Sequence, residues 1–252
     1  MEPTDKTDKD NDLIDRISAA AKELGLDSAI ADIGERLVYD KRPQLADTYL
    51  FGQTADNEQS EFQAALQMQQ GRLAGRFWVI NSIEAEGFPG YVKWHERLGR
   101  IIDSESVKPL PIPADVRERF QRWPYSEVKT KQLIDAHCNV NTLSEAQSLV
   151  AFAKAENKPF LYAVSTPFHM VRAYMTLASE ILQSGQNISV YFYCGAILPW
   201  NEVVVHSQGM QVRTRGELVA EDMAKIQTYS NILPAKDILR YMDRRAYPAV
   251  SA

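Results

Sequence analysis

Two short stretches carry side chains whose types and spacing suit chemistry on an anionic molecule. The first is Asn139-Val140-Asn141-Thr142-Leu143-Ser144-Glu145. Thr142 and Glu145 have the spacing of a capping box, in which a Thr hydroxyl accepts from the N–H three residues on and a Glu carboxylate reaches back to the cap's N–H. Glu145 therefore has two readings, a helix cap or a ligand-facing acid. A helix start also presents unpaired N–H groups and a partial positive charge, which suit an anion. Asn139 and Asn141 stand just before it and offer further hydrogen bonds. The second stretch is Ser165-Thr166-Pro167-Phe168-His169-Met170-Val171-Arg172. Pro167 fits a first helical turn, and His169 and Arg172, three apart, share one helix face. A cation near a helix N-terminus opposes the dipole, so Arg172 needs a carboxylate or an anionic ligand. Glu145 is the carboxylate expected to meet it. The alternative is a purely structural Arg172–Glu145 pair with His169 packed as a polar residue.

Other candidates carry less. Gly52 allows a sharp turn after Phe51. Cys138 adjoins the first stretch, but an inert buried Cys is the commoner case. His137 and Cys138 have no second ligand pair at metal spacing, so no metal site is expected. His95 falls on a helix and His206 near a strand. The dinucleotide fingerprint, the P-loop and the nucleophile elbow are all missing.

These side chains need a scaffold, and the apolar pattern supplies one. Thr48–Phe51, Phe77–Ile80, Pro159–Val164 and Ile188–Tyr193 read as strands, the third as a central strand covered on both faces. Helical spacing covers Leu13–Leu24, Ser28–Val38 with Asp27 as cap, Glu58–Gln70, Tyr91–Ile102, Thr142–Glu156, Pro167–Leu182, Glu217–Tyr229 and Pro234–Arg244. Alternating strands and helices predict an α/β fold, a Rossmann-like, mostly parallel sheet with helices on both faces. Ligands in such sheets bind beyond the carboxyl ends of strands. The loops after Phe51, Ile80 and Val164 and the loop before Thr142 therefore matter, and they add Gly52, Asn81 and Ser82 to the binding candidates. Residues 1–12 are expected to be a disordered tail, 13–40 a helical extension and 41–252 the α/β domain. Within that domain 103–136, broken by Pro109, Pro111 and Pro113, reads as an irregular insertion or lid.

The 252 residues carry a formal net charge of −5 and no basic run, which argues against nucleic acid as a partner. Two cysteines fit a reducing compartment. No signal peptide or membrane-length apolar stretch is visible, so a cytoplasmic location without a membrane partner is expected.

Asn141-Thr142-x-x-Glu145-Ala146, a strand, and then Ser165-x-x-x-His169-x-x-Arg172-Ala173 resemble the bacterial family typified by SanA, ElyC and YdcF, catalogued as domain of unknown function 218. The match spans about residues 139–182, with a weaker match in element order from about Thr48 to Tyr229. The resemblance implies a Rossmann-like sheet with a polar cleft at the strand ends. It makes Asn141, Thr142, Glu145, Ser165, His169 and Arg172 the counterparts of the family signature. It also implies a link to envelope physiology, and S-adenosylmethionine or another nucleotide as a possible ligand. The chain departs from the pattern at Phe51-Gly52-Gln53 and Asn81-Ser82, where the family has glycine-rich loops, and at Ala146, where it has Asn.

Three functions follow as expectations. The first is an enzyme acting on or with a phosphate-bearing or nucleotide-like small molecule. In it Arg172 grips the anion, His169 is general acid or base, and Glu145 orients one of them. Asn139, Asn141 and Thr142 complete the anion site. The second is a non-catalytic binder of the same ligands. The third is an interaction scaffold using the N-terminal helices and segment 107–124.

Overall fold

The computed structural model describes residues 7–40, 45–52, 55–79, 94–110, 141–206 and 211–245. Five strands form one parallel sheet: β1 (Ala46–Phe51), β2 (Ala74–Val79), β3 (Val107–Pro109), β4 (Phe160–Ser165) and β5 (Ser189–Cys194), in the order β3-β2-β1-β4-β5. The chain builds outward from β1 through β2 to β3, then returns to lay β4 on the other side of β1. The expected Rossmann-like α/β architecture is thus the observed one. β4 is buried at every position, because its alternate side chains enter different cores. Leu161 and Ala163 join Tyr49, Phe51, Val190 and Phe192 on one face. Phe160, Tyr162 and Val164 join Leu50, Phe77 and Val79 on the other. Each fully buried Leu or Phe contributes about 1.5–3 kcal/mol relative to an exposed one.

The first face is covered by α1 (Asp8–Glu23), α2 (Ser28–Val38), α5 (Thr142–Ala155), α6 (Met170–Gln183), α7 (Arg215–Ala224) and α8 (Ala235–Arg244). The second is covered by α3 (Ala55–Gln70) and the short α4 (Trp94–Leu98), through Phe62, Ala64, Ala65, Met68 and Leu98. Helix α1 begins at Asp8, inside the stretch expected to be disordered. Thr7 and Asp10 close a capping box there, so polar residues that look like a tail are helix-start chemistry. Helix α2 matches its expected bounds, with Asp27 accepting from Ala29 N–H. Gly34 brings α2 down on α1, since a Cβ there would stand 2.7 Å from Ile17 Cγ2.

Strand β3 lies within the segment expected to be irregular. It is an edge strand of three residues, and an edge tolerates a proline such as Pro109. His206 ends β6 (Val203–His206), which pairs antiparallel with β7 (Gln211–Thr214) in a separate ribbon. The helix expected over 217–229 is α7 followed by a tighter turn of helix at Lys225–Thr228.

The outer edge of β5 is occupied by side chains. Val190 N–H donates to Tyr241 Oη at 3.0 Å, and Tyr241 donates on to Ile188 O. Phe192 N–H donates to Asp40 Oδ2 at 2.9 Å, while Arg245 donates to Val190 O. Arg245 also pairs with Asp40 in a buried ion pair and lies 4.2 Å from the Tyr191 ring centroid.

Candidate functional site

The strand order reverses between β1 and β4, and their carboxyl ends form the switch point at which sheets of this kind bind ligands. Phe51 pairs with Ser165 at that end. Gly52 follows with φ +91, a backbone conformation that favours glycine.

Glu145 reaches this point from the first turn of α5. Its Oε1 accepts from Gly52 N–H at 3.0 Å and lies 3.4 Å from the Tyr49 hydroxyl. The capping box expected between Thr142 and Glu145 does not form. Asn141 is the cap: its Oδ1 accepts from Ser144 N–H at 2.9 Å and its own N–H donates to Ser144 Oγ at 3.0 Å. The three-residue spacing is met twice in this stretch, and Asn is among the strongest caps. Glu145 is thereby left for the sheet. Burial pushes its carboxyl up to about 7, despite the opposing pull of Gly52 N–H, the Tyr49 hydroxyl and Arg172.

His169 caps α6 without a side-chain cap bond. Pro167 lies in the turn closed by His169 N–H and Thr166 O, ahead of the helix rather than in its first turn as expected. Arg172 does not pair with Glu145. Its carboxylate is Asp222 on α7: Nε and Nη2 donate to Asp222 Oδ1 at 3.0 and 2.7 Å. Its Nη1 donates to Thr142 Oγ1 at 2.9 Å and to Tyr229 Oη at 3.3 Å, and the guanidinium lies 5.3 Å from the Tyr229 ring centroid. His169 Nδ1 is 3.0 Å from Asp222 Oδ2. An ionised Asp222 requires the proton on Nδ1, which leaves Nε2 as the acceptor, 3.4 Å from Thr142 Oγ1. With that tautomer the 3.1 Å approach of Arg172 Nη2 to Nδ1 is proximity, not a hydrogen bond.

The charges follow from these contacts. Burial raises Asp222, but Arg172 and His169 outweigh it and hold the carboxyl well below its usual range. Burial pulls His169 down, and Arg172 adds to this against the pull of Asp222, so the imidazole is neutral near pH 7. Burial disfavours the Arg172 cation, yet Asp222 more than restores it.

The structure therefore brings Thr142, His169 and Arg172 into one buried cluster, and sets Gly52, Glu145 and Ser165 at the adjoining switch point. Asn141 is committed to its cap, while Asn81, Ser82, Asn139, His137 and Cys138 lie outside the described residues. No group of three or more His, Cys, Asp and Glu side chains placed to hold a metal occurs among the described residues. No helix among them is long and apolar enough to cross a membrane.

Asp222, Tyr229 and Gly195 are not among the site residues that the sequence marks. Asp222 had a signal: it stands four after Leu218 and three after Val219, an acid on the buried stripe of its helix. Gly195 N–H donates to Ser165 O at 2.8 Å, and a Cβ on Gly195 would stand 2.9 Å from that oxygen. Nothing in a Cys-Gly dipeptide signals this approach. Comparison of the chain with protein-family models, with curated proteins and with solved structures found no match.

Proposed function

We propose that the chain is a cytoplasmic bacterial enzyme akin to the SanA, ElyC and YdcF family, acting on or with a phosphate-bearing or nucleotide-like small molecule at the β1–β4 switch point. The single observation that carries this reading is Glu145. A carboxyl buried at that point, clasped by Gly52 N–H and pushed up to about 7, is poised to give or take a proton near neutral pH. His169, oriented through Nδ1 by Asp222, presents Nε2 toward Thr142 and serves as a second base. Arg172 has its fork on Asp222, so it positions His169 and Thr142 rather than gripping the ligand as the sequence suggests. The family kinship rests on the motif Asn141-Thr142-x-x-Glu145 and Ser165-x-x-x-His169-x-x-Arg172, and the activity is an argument from the site, not from the fold.

A thermal-shift screen of nucleotides, sugar phosphates and S-adenosylmethionine tests the ligand class. A ligand at a hundred times its dissociation constant adds about 2.7 kcal/mol of stability. Glu145→Gln keeps the shape and the Gly52 contact. It should bind the hit as wild type does and lose about a hundredfold or more in turnover. Unchanged turnover in Glu145→Gln overturns the catalytic assignment.

A second reading is favoured by the mutual satisfaction of Arg172, Asp222, His169 and Thr142. It is a non-catalytic binding protein for the same nucleotide-type ligands. Incubation with a metabolite pool separates the two, because a binder returns its ligand intact. A scaffold shows no shift with any of these compounds.

A further inference from the structure

We propose that the turn Ser165-Thr166-Pro167-Phe168 and the start of α6 form the phosphate subsite of this protein, in place of the start of α5 and Arg172. The inference rests on the proposed function and names the group of the ligand that this part of the site holds.

The two helix starts at this end of the sheet differ. That of α5 is closed by its own Asn141–Ser144 box. That of α6 has no side-chain cap, and its first backbone bond is Ala173 N–H to His169 O. The N–H groups of Met170 and Val171 precede that bond, and both residues are buried. A buried helix start without a cap leaves donors that favour an anion.

A second observation is independent of the helix. Ser165 and Thr166 are both 0% exposed, and neither Ser165 Oγ nor Thr166 Oγ1 has a hydrogen-bond partner. A buried hydroxyl without a partner costs free energy, because its bonds to water are lost and not replaced. Both stand at the carboxyl end of a central strand, where sheets of this kind bind ligands. Alternation along β4 sends Ser165 to the face of Leu161 and Ala163, the face that carries α5, α6 and Glu145. Thr166, Pro167 and Phe168 line one side of a cavity of about 10 Å³, closed on the other by Ser60, Trp200 and Arg215, with room for about one oxygen atom. Gly195 lies against the Ser165 carbonyl and fixes the strand end. Arg172 cannot take the phosphate without releasing Asp222, since Nε and Nη2 both donate to it.

The test is titration of wild type, Ser165→Ala and Thr166→Val with inorganic phosphate, against chloride at equal ionic strength. Phosphate should raise the melting temperature of wild type. Without phosphate both variants should melt at or above the wild-type temperature, because each loses an unpaired buried hydroxyl. At least one should bind phosphate about tenfold more weakly or worse. If both variants keep the wild-type phosphate response, or melt lower without phosphate because their hydroxyls are structural, the subsite is elsewhere. A nucleotide that shifts wild type and both variants alike leaves the proposed function standing and removes only this subsite. No response of wild type to phosphate, nucleotides or S-adenosylmethionine removes both.

Discussion

Glu145 and Asp222 are both buried carboxyls, and their surroundings drive them in opposite directions. Asp222 has the Arg172 guanidinium and a hydrogen bond from His169, and it is held low. Its contribution to stability is present above the ordinary Asp range and declines as pH falls below it. Glu145 has only weak partners and is raised from 4.5 to about 7. Between those values the folded chain binds more protons than the unfolded one. Stability from this group is therefore full below about pH 4.5 and is lost as pH rises to about 7, by up to about 3 kcal/mol. Urea unfolding from pH 5 to pH 8 should show that decline in wild type and a flatter profile in Glu145→Gln. Parallel profiles would mean that Glu145 is not raised. The sequence marks Glu145, His169 and Arg172 because helix-start spacing and dipole sign are local. It misses the partner of Arg172, because Asp222 is fifty positions away and only tertiary packing brings it near.

Elements are legible where one local signal acts alone. Asp27 followed by the apolar spacing of Ile30, Ile33 and Leu37 leaves one solution for α2. At the start of α5 two signals overlap, Asn141 with Ser144 and Thr142 with Glu145, and the structure selects the first. The loss then shows what the cap does. Asn141→Ala removes the acceptor of Ser144 N–H and should cost about 1 kcal/mol in chemical denaturation. Glu145 is already held by Gly52, so the ligand class bound should not change. A loss within experimental error would point to Thr142 as the working cap. Strand β3 illustrates the opposite case: three residues around prolines have no periodicity to read, and only pairing with β2 makes them a strand.

For the molecule as a whole, α/β alternation in the sequence suffices for the parallel sheet, and the β1–β4 switch point follows from the strand order. How the sheet ends is not legible, because its β5 border is finished by Asp40, Tyr241 and Arg245, brought together from both ends of the chain. Removing one partner of a buried ion pair costs about 3–5 kcal/mol. Arg245→Ala should lose stability on that scale and also scatter light on standing at concentrations where wild type stays clear. Destabilisation without self-association would assign Arg245 to packing alone. The bonds on β5 that a foreign strand needs are already spent on the protein's own side chains. Protection against polymerisation is thus shared between the segment that follows α2 and the end of α8, and whatever loosens either uncovers a template.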